Sequence, residues 1–412
     1  MYIYYVIVFF AFLLFYSIFT KKWAISTYLI AIYILSLIVS LFISEFFPLY
    51  SDSQKGAIIF TSGISLFILP YIKKEPILVG IDNQISLKKI ISTVELISIL
   101  LVFLEICIIP TILGNTHVEF SDLREGESAQ QSNFIISFFM KIMDMVCPLS
   151  YSLLTIFFYL YTFVSCRKKL LVMVFLASLS APIYGITAGG RTQMIYWLLS
   201  LVFNIVLFYK YLEPHKAKYL SRILAVFVGL ILLYISIATI SRFSDTSYGA
   251  ENSLLIYMGQ SYLQFNHFIE EFPSSGSITL RRIFPFIYSL IYGNESIDVY
   301  RDLITARTGM DIGIFYTLLG DLFVDVGIVG MYIYAIVYNI VARHSLRGNK
   351  MDISSLLLLN LLFLIPLQGV FYYSFWKKQV TFCAFLVILF SRYIKSSPKA
   401  NIFPKDVNNE LK

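Results

Sequence analysis

Long apolar runs separated by short polar segments are the dominant pattern of this chain. A helix that crosses a membrane needs about 20 mostly apolar residues, and eleven runs approach that length. They lie near 2–19, 24–43, 57–72, 90–113, 146–165, 170–187, 194–212, 223–240, 325–342, 354–372 and 379–394. The last two runs also fit one re-entrant pair. The pattern predicts an all-α polytopic integral membrane protein with about 11 transmembrane helices, forming a single domain over 1–412.

Composition supports that interpretation and excludes other classes. Hydrophobic residues make up 58% of the chain and charged residues 14%, against about 45–50% and roughly 25% in soluble domains. A soluble enzyme, a disordered protein and a secreted disulfide scaffold are therefore excluded. The four cysteines lie in or beside apolar runs without a CxxC spacing, so we interpret them as small core residues. The first run lacks a basic start and a cleavage site, which favours a retained span.

The distribution of basic residues predicts the orientation. Of the 32 Lys and Arg residues, 21 follow odd-numbered runs, including the C-terminal tail. Cytoplasmic connections are enriched in Lys and Arg, so we expect the N-terminus outside and the C-terminus in the cytoplasm. The net charge of +7 reflects this asymmetry and does not call for a nucleic-acid partner.

The connections predicted to lie outside are unusually long. One spans 114–133, and a large one spans 241–321. Within the large outer loop, apolar residues recur at helical spacing from Asn252 to Phe272, which predicts an amphipathic helix on the membrane surface. A second apolar patch, Ile283 to Tyr292, is expected to rest on the bilayer. The large loop is therefore predicted to be partly helical.

The most distinctive local motif is TAGGRT at 187–192. Gly189 and Gly190 permit a sharp turn and a close approach of the backbone to a ligand. Arg191 then presents a fixed planar charge suited to a phosphate or diphosphate. The alternative is an arginine whose side chain reaches lipid headgroups.

Further arginines occur on the same predicted side. They are Arg242, Arg281, Arg282, Arg301 and Arg307. Because basic residues are depleted on this side, the group indicates capture of an anionic, lipid-linked substrate. The alternative is pairing with acidic residues of the same loop. Those are Glu251, Glu270, Glu271 and Asp302.

Candidates for proton transfer are fewer. His267 on the outer helix is a possible general base, or else only an exposed histidine. Asp321 and Asp325 stand at the entrance of the ninth run, where carboxylates are often functional, although pairing with an arginine also explains them. Lys141 and Asp144 are three residues apart and are expected to neutralise each other. No HExxH, Asp-rich or GxSxG motif occurs, so no metal, cofactor or serine nucleophile is predicted.

Two motifs together with the predicted topology carry a family resemblance. The Gly189-Gly190-Arg191 turn, the large late outer loop and the GDLFVDVGIVG segment at 320–330 resemble the bacterial O-antigen or oligosaccharide repeat-unit polymerases of the Wzy type. The resemblance implies transfer of a growing glycan from undecaprenyl diphosphate to a lipid-linked repeat unit. It places the protein among the lipids of the bacterial cytoplasmic (inner) membrane, with a flippase and a chain-length regulator as possible partners.

Roles for the candidate residues follow from that reaction. Arg191 and Arg242 are expected to bind the diphosphate and to stabilise its charge as it departs. Arg281 and Arg282 would position the second lipid or its sugar. His267 or Asp321 would deprotonate the acceptor hydroxyl.

Three other functions stay open. An O-antigen ligase uses the same donor but passes the glycan to lipid A core. A flippase or other transporter would show short loops, internal pseudo-symmetry and charges along a central path. A structural membrane partner is the third, and the outer arginines argue against it.

Overall fold

A computed structural model describes most of the chain, apart from the C-terminal tail and several connections. The described residues are 2–20, 25–44, 52–73, 76–80, 84–114, 134–164, 166–187, 190–243, 249–272, 280–293, 297–308, 316–347, 350–373, 375 and 377–395. Gly189 and the side chains of Arg242, Arg301 and Arg307 lie outside that description, as does most of the predicted 114–133 loop.

Helices form nearly all of the described structure. In chain order they are α1 (Tyr2–Phe19), α2 (Ile25–Ile43), α3 (Gln54–Lys73), α4 (Gln84–Gly114), α5 (Phe134–Val146), α6 (Leu149–Phe163), α7 (Lys168–Ala177), α8 (Ser180–Thr187), α9 (Thr192–Phe208), α10 (Pro214–Phe243), α11 (Gly249–Glu271), α12 (Pro285–Tyr292), α13 (Ile297–Thr308), α14 (Thr317–Ser345), α15 (Ile353–Gln368) and α16 (Lys378–Lys395). Two short strands, β1 (Ile77–Leu78) and β2 (Lys350–Met351), pair in parallel.

Within the described residues, eight helical segments are long and apolar enough to cross a membrane. A ninth span results if α5 and α6, which are bent by 62° at their junction, count as one. This confirms the prediction of an all-α, multi-pass protein. The count of eleven stays a prediction, because α15 is a shorter apolar helix of 16 residues and α16 is not among the eight.

The junction between α5 and α6 lies at the start of the run predicted at 146–165. Pro148 has no N–H, so it cannot donate to the carbonyl of Asp144 four residues earlier. The Cys147 thiol donates to that carbonyl instead, with an S···O distance of 3.6 Å. The chain turns here, and α5 approaches the bundle at an angle to α6.

Helix α11 fills the position predicted for an amphipathic surface helix. The predicted helix is confirmed. The prediction that it lies on the membrane surface is wrong, because α11 packs along α2 and α3 with residues 261–266 buried. The Ser40 hydroxyl donates to the Gly259 carbonyl at 2.5 Å. A Cβ at Gly259 would lie 2.7 Å from the Ser40 nitrogen, so only glycine permits this approach. Polar side chains such as Asn266 alternate with the apolar ones, which is the sequence pattern of a surface helix, but in the structure these polar side chains are buried too.

Several connections predicted to be cytoplasmic meet at one end of the bundle. Strand β1 pairs with β2, and the Leu78 N–H donates to the Tyr211 hydroxyl at 2.9 Å. Helix α9 runs 17 residues, about 25 Å at 1.5 Å per residue, from Thr192 to just before Tyr211. The start of α9 therefore lies at the opposite end, where the candidate site is found.

Candidate functional site

A cavity of about 340 Å³ opens at the end of the bundle where α9 begins. Its walls come from the α5–α6 junction, α8, the start of α9, the segment from Arg281 through α12, and the turn from α15 to α16. This volume is at the lower end of the range of about 300–1,000 Å³ that is typical of small-molecule sites. Helix ends and turns, rather than apolar helix faces, supply most of its polar groups.

Positive charge prevails among the described residues that line the cavity. Arg281, Lys377 and Lys378 line it, and Asp144 is the one carboxylate among its described lining residues. Tyr372 raises the pKa of Lys377 above the usual value, against the opposing effect of burial. Lys377 is therefore charged at neutral pH. A concave site with an excess of cations concentrates anions.

Tyrosine and glutamine side chains supply most of the remaining polar surface. The tyrosines are Tyr151, Tyr184, Tyr196, Tyr288 and Tyr372, and the amides are Gln193, Gln368 and Gln379. The Tyr196 and Tyr372 ring centroids are 5.6 Å apart. Tyrosine offers an apolar face and a polar hydroxyl in one rigid side chain. The lining therefore suits a ligand that has both ring faces and hydroxyl groups, as sugars do.

Asp144 lies at the C-terminal end of α5, against the turn that precedes α16. The Gln379 amide donates to its carboxylate at 2.7 Å, and Tyr184 lines the cavity beside it. The predicted neutralisation by Lys141 is wrong, because the described Lys141 is exposed and forms no ion pair with Asp144, whereas Gln379 donates to the carboxylate. The bend at Pro148, which sequence spacing alone does not reveal, turns this carboxylate toward α16.

Helix α12 forms one wall of the cavity and has two distinct faces. Pro285, Tyr288 and Ser289 line the cavity. The other face is apolar and exposed, with Ile287 at 54% and Leu290 at 87% of full accessibility. Such a face is expected of a helix that contacts lipid. The bilayer location predicted for this segment stays a prediction.

Arg282 points away from the cavity into a buried ionic cluster. Its guanidinium pairs with the Asp321 carboxylate and donates to the Tyr316 hydroxyl at 2.6 Å. The Asp325 carboxylate accepts from the backbone N–H groups of Arg282 and Ile283 at 3.1 and 3.0 Å. We call Arg282, Tyr316, Asp321 and Asp325 the ionic latch, because they fasten the segment before α12 to α14.

A kink in α14 completes the latch. Gly327 has a φ of 68°, a conformation that L-residues rarely adopt. The interrupted helix leaves the Asp325 carbonyl able to accept from the Leu280 N–H at 3.4 Å. The GDLFVDVGIVG motif thus holds the Arg281–Arg282 segment in place. The contacts of Arg282 and Asp321 are those of a structural ion pair, and their predicted roles on the substrate stay predictions.

Arg191 lies just outside the cavity, at the start of α9. It is buried, donates to the Thr239 hydroxyl at 2.6 Å and places its guanidinium carbon 4.9 Å from the centre of the Tyr257 ring. Thr192, the next residue, lines the cavity and lies 3.1 Å from the Tyr257 hydroxyl. Arg191 therefore packs behind Thr192, which lines the cavity. The predicted contact between Arg191 and the substrate stays a prediction.

The remaining predicted site residues divide between the cavity and other places. Arg281 lines the cavity, with its guanidinium carbon 4.3 Å from the centre of the Tyr300 ring. The Gly190 N–H donates to the Gly185 carbonyl at 2.8 Å, which closes the turn before Arg191. His267 is partly buried on α11 and is not among the cavity-lining residues. In the part of the chain that the structure describes, no three His, Cys, Asp or Glu side chains group together.

Lys377, Lys378 and the tyrosines were not among the site residues predicted from the sequence. A signal existed for the two lysines, because a basic pair in a predicted outer turn departs from the positive-inside pattern. The tyrosines gave none, because aromatic residues at helix ends are common in membrane proteins.

Comparisons with known proteins give no further assignment. No family model matches the chain, and no curated protein and no solved structure matches it.

Proposed function

We propose that this protein is a membrane glycosyltransferase that polymerises undecaprenyl-diphosphate-linked oligosaccharide repeat units into O-antigen or capsular polysaccharide. The observation that carries the proposal is the cavity, which joins three cations to five tyrosines and three glutamine amides. The cations suit a diphosphate, and the aromatic and amide groups suit sugars. A ligand with both parts on one molecule is a lipid-diphosphate-linked oligosaccharide.

The proposed setting is the bacterial cytoplasmic membrane, with eleven spans, the N-terminus outside and the C-terminus inside. The contacts support the alternation of the spans, since the pairing of β1 with β2 joins two connections of one predicted side. The cavity lies at the other end and would face outward. No nucleotide sugar is available there, so the donor has to arrive already activated.

In the proposed reaction, the cavity binds the donor diphosphate and holds its charge as the lipid departs. Lys377, Lys378 and Arg281 supply fixed positive charge at the leaving group. The tyrosines hold the first sugars, so that the acceptor hydroxyl and the anomeric carbon meet in a productive geometry. The exposed apolar face of α12 gives the polyprenyl chain a place beside the cavity, within the membrane.

A reconstituted assay tests this function. The purified protein in lipid nanodiscs would receive lipid-linked oligosaccharides extracted from cells that lack it, and glycan length would be read on a gel. We expect a ladder of added repeat units. A protein in which Lys377 and Lys378 are both replaced by Gln should give no ladder. A Lys141→Gln control, which removes an exposed lysine outside the cavity, should match the native protein.

Other outcomes identify the competing functions. Transfer of a single glycan to added lipid A core, with no ladder, would make the protein a ligase. Movement of the lipid-linked oligosaccharide across a vesicle membrane without a new glycosidic bond would make it a flippase. Either result overturns the polymerase proposal.

A further inference from the structure

Asp144 is the one carboxylate among the described residues that line the cavity, and the sequence offers no motif that singles it out. We propose that Asp144 is the general base that removes the proton from the acceptor sugar hydroxyl. This role rests on the proposed function, since it assigns a catalytic group to the same cavity.

The local backbone directs Asp144 to this position. Pro148 ends the helical hydrogen bonding of α5, and the Cys147 thiol satisfies the carbonyl of Asp144 at 3.6 Å. The side chain then projects from the last turn of a helix that bends by 62°. It is partly exposed to the cavity, so a ligand hydroxyl can reach it.

A second contact orients the carboxylate. Gln379, in the first turn of α16, donates to one oxygen of Asp144 at 2.7 Å. The amide is uncharged, so this contact orients the carboxylate without adding a positive charge to it. A general base needs both a defined orientation and a basic oxygen within hydrogen-bond reach of the proton.

The other candidate bases are less well placed. Asp321 is 1% accessible and pairs with Arg282. His267 lies on α11 and does not line the cavity. Neither group faces the cations that would hold the donor. Asp144 shares a cavity with them.

The proposed step balances in the following way. The acceptor hydroxyl oxygen forms a bond to the anomeric carbon of the donor glycan while its proton passes to Asp144. The bond between that carbon and the diphosphate oxygen breaks, and its electron pair leaves with undecaprenyl diphosphate. The cations stabilise the new charge, and Asp144 then releases the proton to water.

Charged and titratable groups surround Asp144 from several elements. Lys377 interacts with it from the turn before α16, Tyr184 from α8 and Cys147 from the α5–α6 junction. Rescue of the Asp144→Ala protein by an added carboxylate such as formate is a signature that a purely structural role would not produce.

The test compares Asp144→Asn with the native protein in the nanodisc assay described above, using the same extracted lipid-linked oligosaccharides. We expect the rate of ladder formation to fall by about 10²–10⁴-fold, whereas capture of the donor by the nanodisc-bound protein is retained. Asp144→Glu should keep part of the rate. Asp144→Ala should regain rate when formate is added, and the native protein should not respond. Asp302→Asn, which alters an exposed carboxylate outside the cavity, is the matched control.

The outcomes separate this role from the function on which it rests. A native ladder together with an equally active Asp144→Asn protein, or with an Asp144→Ala protein that formate does not rescue, overturns the role of Asp144 alone. A native protein that builds no ladder overturns the proposed function, and the role of Asp144 falls with it. A variant that loses donor capture in proportion to rate shows that Asp144 holds the site together, which also overturns its role as base.

Discussion

Two adjacent arginines, Arg281 and Arg282, end in opposite environments. The Arg281 side chain lines the cavity between tyrosine rings. Arg282 is 6% accessible and belongs to the ionic latch. The same residue type at neighbouring positions thus serves two purposes, and the direction of each side chain decides which one.

The two regions differ in their balance of charge. In the latch, the Arg282 guanidinium pairs with the Asp321 carboxylate and donates to the Tyr316 hydroxyl, so its positive charge is balanced inside the protein. Among the described residues that line the cavity, three are cations and one is a carboxylate, a balance of charge that favours an anionic ligand. A satisfied cluster should affect stability when it is broken, whereas an excess of cations should affect binding and rate.

The largest effect is expected at the latch. Arg282→Met leaves Asp321 buried without its cation, which costs about 3–5 kcal/mol when one partner of a buried pair is removed. Thermal unfolding of the purified protein should show a large loss of stability and a poor yield from cells.

A double variant sharpens that test. Arg282→Met combined with Asp321→Leu should recover much of the stability, because replacing both partners with apolar groups is often neutral. If Arg282→Met unfolds like the native protein while glycan length changes, Arg282 acts on substrate and the contrast between the two arginines fails.

The next largest effect is expected at Lys377, on rate instead of stability. Lys377→Gln should lower the rate by roughly 10²–10³-fold, or about 2.7–4 kcal/mol, the cost of losing one preorganised contact to developing charge. Unfolding should stay close to that of the native protein. Because Tyr372 raises the pKa of Lys377, the native rate should not fall from loss of this charge as the pH rises to about 9. A rate that stays native in Lys377→Gln would remove this lysine from the site.

A smaller effect is expected at Arg191, which lies just outside the cavity and contacts Thr239 and Tyr257. Arg191→Ala should cost about 1.5–3 kcal/mol of stability, the range for hydrogen bonds to charged groups. It should also shorten the glycan, because the start of α9 loses its support. Arg191→Lys should rescue poorly, since an ammonium lacks the planar shape of a guanidinium.

Thr239→Val is the control for Arg191, because it removes the same hydrogen bond from the other side. In a double-mutant cycle the two changes should not be additive. Native stability together with complete loss of long glycan in Arg191→Ala would instead place Arg191 among the residues that bind the donor.

The smallest effect is expected from a chelator. Fixed ammonium and guanidinium groups in the cavity can neutralise a departing diphosphate, so excess EDTA should leave the glycan ladder unchanged. A ladder that disappears with EDTA and returns with Mg²⁺ or Mn²⁺ would assign a metal to the reaction and weaken the role of the cavity cations.

The features accessible from sequence are those that depend on neighbouring residues. Apolar runs long enough to span a membrane predicted the helices, and helical spacing from 252 to 272 predicted α11. Its burial against α2 could not be read from that pattern, because the packing depends on partners more than 200 residues away.

The cavity was harder to predict for the same reason. Asp144 and Gln379 are 235 residues apart in sequence, and no local pattern joins them. Pro148 was visible, but its effect depends on where the redirected helix packs. The Asp321–Gly330 motif was recognised from the sequence. Its first carboxylate pairs with Arg282, and which arginine would be its partner could not be predicted, because that depends on the fold.

The close packing of α2 against α11 has a consequence for how this protein is made. Ser36 and Ser40 donate to the carbonyls of Met258 and Gly259. Because the chain is made from its N-terminus, α2 is synthesised long before these partners. The gap between Ser40 and Gly259 is 219 residues, which takes roughly 10–45 s at the usual rate of synthesis. During that time the early helices have to persist as separate inserted segments. Helix α2 is thus one side of an interface whose other side, α11, is synthesised much later, so the packing of α2 is completed only after α11 has been made.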